Sequence, residues 1–179
     1  MSKFEIPKEN WKSISIDSAL FILNESKDYI DYTLKESEHI TSRSFSLVLI
    51  LISLLSAIVG YTYGKIVDSE LANLIIVNCV FIITIVFLLI RLFMIVFPKK
   101  MIVKGRIPKE LAQKHILITP KLTAQENYLM LIIQEIENSQ HKINFNLKQN
   151  KSRRDRMKFV MYTLIILLPI YLVAAFFSI

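Results

Sequence analysis

Cysteine occurs once in the 179 residues, at Cys79, and that count excludes a disulfide framework, a CxxC pair and a zinc knuckle. Glycine occurs three times, at Gly60, Gly64 and Gly105. No GxGxxG, GxxxxGK[ST] or GxSxG is formed, so neither a phosphate-cradling loop nor a nucleophile elbow is encoded. His39, His115 and His141 do not stand at metal-ligand spacing with another His, Cys or carboxylate. No metal, no cofactor and no enzymatic activity is expected. The first 43 residues have no apolar h-region, so no signal peptide is expected and the first apolar run serves as its own insertion signal.

Charge is missing from long stretches. Phe45–Tyr63 and Phe159–Ile179 have none, and Leu71–Phe97 has only Arg91. A bilayer-crossing helix needs about 20 predominantly apolar residues, a length each run meets or approaches. With 53% hydrophobic residues and a mean hydropathy of +0.45, the chain reads as an all-α membrane protein with three transmembrane helices. The reading divides it into a tail over 1–15, an amphipathic helix over 16–43, spans over 44–64 and 71–97, a connector over 98–122, an amphipathic helix over 123–158 and a span over 159–179.

The cations orient this arrangement. Of 22 Lys and Arg, six precede the first span, Lys65 lies between spans one and two, Arg91 lies inside span two, and 14 fall between Pro98 and Lys158. The N-terminus and long connector thus share 20 cations against one on the other side. The positive-inside rule places that richer side, with both amphipathic helices, in the cytoplasm, and the C-terminus outside. Arg91, six residues before Phe97, reads either as a charge on an ion path or as a side chain snorkelling to the headgroups.

The two amphipathic helices carry the same pattern. Apolar residues at Ile16, Leu20, Leu23, Ile30 and Leu34 step by three and four, with Lys27 filling the gap. Leu129, Ile133, Ile136, Ile143 and Leu147 repeat this with Gln140 in the gap, at a constant offset of 113. Each is a heptad seam interrupted once by a polar layer. The offset predicts parallel, in-register packing. The net charges, −3 over 16–43 and +3 over 123–158, favour the same pairing. The seams either close a core within one chain or build an oligomeric stalk. Thr123 and Glu126 form a capping-box signature for the start of the second helix.

Met101–Lys104 and His115–Thr119 read as short strands of a small hairpin, with Gly105 as a turn and Pro108 starting a brief helix. In span one, Ser56, Gly60 and Gly64 recur every four residues, a spacing that allows close helix packing. Ser46, Ser53 and Gly60, seven apart, would instead line a narrow pore. Asn78 is polar at membrane depth and needs a partner. Pro169 is expected to bend span three. The basic run Lys148, Lys151, Arg153, Arg154, Arg156 and Lys158 admits three readings: a topology anchor, a site for anionic lipids, or a site for a phosphate-bearing ligand.

Two stretches carry a resemblance. "YTLKESEHITSRSFSLVLILISLL" runs a polar helix directly into span one. "YLMLIIQEIENSQHKINFNLKQNKSRRDRMKFVMYTLIILL" runs an amphipathic helix through a basic cluster into the last span. This layout resembles the small bacterial anti-phage membrane effectors of the Pycsar transmembrane and SLATT types. The resemblance implies a homo-oligomeric pore in the bacterial inner membrane. It also implies gating by a nucleotide or oligonucleotide second messenger from a nucleotidyltransferase or cyclase encoded nearby. A membrane-anchored adaptor that recruits a soluble partner is the alternative.

Overall fold

A computed structural model describes residues 11–67, 72–107, 109 and 122–178. A short 3-10 turn, Trp11–Ser13, leads into three helices: α1 (Ile16–Val67), α2 (Ala72–Val96) and α3 (Ala124–Phe176). All three contain a stretch long and apolar enough to cross a membrane, the mark of a multi-pass membrane protein. The amphipathic and apolar parts of α1 are one helix, as are those of α3. No Gly or Pro stands near Ser44 or Phe159 to stop either, and α3 continues through Pro169 to Phe176.

The ends of these helices are written locally. The Ser15 hydroxyl accepts from Ser18 N at 3.1 Å and caps α1. At α3, Glu126 N donates to Thr123 Oγ1 at 3.2 Å while Thr123 N donates to the Glu126 carboxylate at 2.8 Å, the reciprocal pair that the sequence spacing predicts.

The chain forms two compact units. Met1–Ser37 and Lys100–Asn150 contribute the first; Glu38–Lys99 and Lys151–Ile179 contribute the second. In the first, Ala19 and Leu23 of α1 bury against Leu129, Ile132, Ile133 and Ile136 of α3, flanked by Trp11 and Ile14. The two helices run parallel here: Asn146 bonds Thr33, at the expected offset of 113, and Asn150 bonds Glu36.

The buried line differs from the apolar one by single steps. Ala19 is buried where Leu20 is half-buried, and Thr33 is buried where Leu34 is half-buried. On α3, Asn146 takes the place of Leu147. Small or hydrogen-bonding residues sit closest to the partner helix, and the larger leucines flank them.

The second unit is a three-helix bundle. Buried positions on α2 are Leu74, Asn78, Phe81, Ile85, Leu88, Leu92 and Ile95, stepping four and three, with Leu89 buried beside Leu88. Those from Phe81 to Ile95 pack with Val48, Leu51 and Ile58 of α1 and with Met157 and Val160 of α3. One-third of the most apolar window of α2 is buried, 33%, against 6% for that of α3. Helix α2 is therefore the best-covered helix of the bundle. Ile165, Ile166, Ile170 and Val173 of α3 stay outward, on a surface suited to lipid or to another copy.

The described residues contain no strand. Met101–Lys104 is irregular, which corrects the hairpin expected there; its second half, His115–Thr119, and Pro108 lie outside the described residues. The physical reason is a side chain doing the work of a neighbouring strand, described next. Gly105 turns the segment with φ +80°, in the left-handed region that glycine occupies without strain.

Candidate functional site

In the first unit the connector 101–107 is strapped to the helices by polar ties. Asn146, fully buried, accepts from Ile102 N at 3.0 Å and donates to Ile102 O at 2.9 Å. Its amide thereby satisfies both ladder groups of Ile102, the groups a strand partner would have taken. The second amide hydrogen of Asn146 goes to Thr33 Oγ1 at 3.0 Å, so one carboxamide joins α1, α3 and the connector. Four residues on, Asn150 donates to Thr33 O at 2.8 Å and to the Glu36 carboxylate at 3.1 Å.

Ion pairs complete the strap. Lys142 donates to Gly105 O at 2.6 Å and pairs with Glu135 at 3.3 Å. Arg106 pairs with the other oxygen of Glu135 at 2.8 Å, and Lys104 pairs with Asp31 at 2.6 Å. The Asp31 hydrogen bond, aided by its charge, holds the Lys104 ammonium above its ordinary pKa. An open cleft of about 690 Å³ lies against Ile102–Ile107, Asn138 and Lys142. Its three cations share two carboxylates, Asp31 and Glu135, which reduces its field for a further anion.

In the second unit two polar groups lie among apolar side chains. Arg153 is buried and reaches Thr41 Oγ1 and, at 3.1 Å, Ile95 O. Ile95 belongs to the last turn of α2, so the guanidinium caps that helix and meets the negative end of its dipole. Further along, Asn78 Nδ2 donates to Thr62 Oγ1 at 2.9 Å and Asn78 Oδ1 accepts from Tyr171 OH at 2.9 Å. Each of the three helices contributes one member. The Tyr171 ring stacks on Phe81 with centroids 4.2 Å apart.

No family model, curated protein or solved structure matches this chain.

The site is therefore defined by where its own residues fall. Of the basic run, Arg153 alone turns inward; Lys148, Lys151, Arg154, Arg156 and Lys158 are exposed. Ser46, Ser53, Ser56, Gly60 and Gly64 are all exposed, and a Cβ on Gly60 or Gly64 would meet nothing within 4 Å. Ser53 is nine residues, two and a half turns, beyond buried Ser44, so the stripe faces directly away from the buried seam of α1. Ser46 and Ser53 donate to the carbonyls of Ser42 and Leu49, which settles their hydroxyls within the helix. Asn78 has the partners it needs. Arg91 is exposed and lies over the rings of Phe87 and Phe159, 5.2 and 5.8 Å from their centroids.

Among the seam residues, Leu23, Ile30, Leu129, Ile133, Ile136 and Ile143 are buried inside the single chain. Ile16, Leu20, Lys27, Leu34, Gln140 and Leu147 are half-buried. Thr33, Thr41, Thr62, Asn146, Asn150 and Tyr171 were not legible as site residues. For Asn146 and Asn150 the signal was periodicity: Ser139, Asn146, Asn150, Arg153, Met157 and Val160 continue one seam by steps of seven, four and three. Among the described residues no three His, Cys, Asp or Glu side chains lie where they could hold a metal ion.

Proposed function

We propose that this chain is the subunit of a homo-oligomeric pore in a bacterial inner membrane, an effector of anti-phage defence whose cytoplasmic helices gate it. The observation that carries the reading is the division of faces on α1. The interior of the bundle is filled by side chains such as Ile85, Leu88 and Leu92, so one chain encloses no conduit. The small residues Ser46, Ser53, Ser56, Gly60 and Gly64 face away from that core, where close approach of a second copy would use them. The imbalance of cations, 20 against one, supports an N-terminus and connector in the cytoplasm. The trigger, a nucleotide or oligonucleotide signal from a partner nucleotidyltransferase or cyclase, is carried over from the resemblance alone.

One observation favours an adaptor instead. Phe21, Ile22, Tyr29 and Tyr32 of α1 in the first unit are 46–65% exposed, an apolar face of the kind that receives a protein partner.

The test uses the full chain reconstituted in planar bilayers. Stepwise current is expected, and Gly60→Leu with Gly64→Leu should abolish it together with the oligomer seen by light scattering in detergent. Because neither Cβ meets anything in the single chain, the variant monomer keeps its fold. Silence of the wild type at all potentials, with and without cyclic nucleotides, overturns the pore. A stoichiometric soluble partner captured on the Phe21 face would then establish the adaptor.

A further inference from the structure

Independently of the pore, one end of the second unit carries a concentrated positive charge. Arg153 bonds Thr41 and the carbonyl of Ile95, which sets those three positions at one level of the bundle. Arg43, Lys99, Lys151, Arg154, Arg156 and Lys158 all lie within five residues of that level along their own chains, about 8 Å where helical. Arg91 is held close by through its contact with Phe159. With Arg153 these make eight cations, against the carboxylates of Glu38 and Asp155 on the same segments, a net charge of +6 (8 − 2). On α3, at 100° per residue, residues 151, 154 and 158 fall within about 60° of one another on the side away from inward-turned Arg153, while Arg156 stands about 60° from Arg153.

The neighbours of these cations decide the partner. Phe45, Phe93, Phe97, Phe159 and Tyr162 are 42–64% exposed beside them. A soluble phosphate ligand is bound in an enclosed polar concavity, with its charge taken out of water by donors on several sides. Here the cations form an open girdle whose next turn is apolar and aromatic. That sequence of layers, cation then aromatic then aliphatic, matches the order of phosphate, glycerol region and acyl chain in a lipid leaflet.

We infer that this girdle binds the phosphate groups of anionic phospholipids, and that Arg154, Arg156 and Lys158 supply most of the selectivity over zwitterionic lipid. The three are exposed on α3 beside the apolar run that starts at Phe159. Charge, not a bidentate fork, is the recognition element, since Lys151, Arg154, Arg156 and Lys158 stand exposed on the surface of α3.

The experiment titrates the full chain in neutral detergent with water-soluble, short-chain phosphatidylglycerol and phosphatidylcholine. Wild type should prefer the anionic lipid by on the order of 100-fold, each surface cation counting for about fivefold. Arg154→Gln/Arg156→Gln/Lys158→Gln should lower the ratio by at least about tenfold, and Arg154→Lys/Arg156→Lys should keep it. If the triple variant fails to fold, wild type in 1 M salt gives the same reading, because exposed charges are screened there. Equal affinity of wild type for the two lipids overturns the inference. So does inorganic pyrophosphate that binds with no lipid present and blocks the anionic lipid, which would assign the charge to a soluble ligand.

Discussion

Asn146 concentrates the logic of the first unit in one side chain. Its amide offers one acceptor and two donors, and all three are used, on Ile102 N, Ile102 O and Thr33 Oγ1. Asn146→Leu preserves size but strands two backbone groups and a hydroxyl. An unsatisfied buried polar group costs about 1–3 kcal/mol, so a loss of roughly 3 kcal/mol is expected, tempered where water reaches the connector. Thermal melting in detergent reads the total, and hydrogen exchange at Ile102 reads the cause. If Ile102 exchanges no faster in the variant, the clamp is not what holds the connector. The sequence revealed the offset of 113 but assigned it to Leu34 and Leu147, since apolar patterning ranks leucine above threonine and asparagine. The hydrogen-bonded pair Thr33 and Asn146 has the same offset one step earlier on each helix. Polarity hid the contact even though spacing contained it.

Among the elements, α3 shows which signals act locally and which do not. Its start was readable from Thr123 and Glu126 because a capping box is complete within four residues. Its absorption of the connector was not readable, because a side chain 44 residues away takes the Ile102 groups that a strand partner would have paired. The cap also makes a pH prediction. Lys12, 2.8 Å away, and then the Thr123 N–H and hydroxyl hold the Glu126 carboxyl at about 2, below its ordinary 4.5. A depressed carboxylate contributes stability that is complete above pH 4.5 and is lost as pH falls through about 2. The first turn of α3 should therefore fray across that window, seen as faster exchange at the Glu126 and Asn127 amides. Glu126→Gln should flatten this dependence, and Thr123→Ala should cost about 1 kcal/mol at neutral pH. A pH-independent first turn in the wild type would remove Lys12 and the cap as its cause.

For the whole molecule, two facts combine into a statement about topology. Charge-free runs make each of the three helices able to cross a bilayer, and an odd number of crossings puts the chain's two ends on opposite sides. By the positive-inside rule the cation count predicts the N-terminus inside, with Lys65 the only cation expected on the outer face. The single thiol makes this directly measurable, since Cys79 is exposed on α2 and its replacement by serine gives a thiol-free background. In that background Ser13→Cys and Ser152→Cys should react with a membrane-impermeant maleimide only after the cells are opened. Lys65→Cys and Ser178→Cys should react in intact cells. The reverse pattern would show the cation count overruled, and labelling of Ser13→Cys and Ser178→Cys from the same side would mean that one of the three helices does not cross. Helix α3 is the informative one. Only 6% of its most apolar window is buried in the chain, so crossing the bilayer would give its isoleucines and phenylalanines an apolar environment. If α3 does not cross, that surface must be covered by other protein, and the oligomer rather than the lipid becomes the solvent of the third helix.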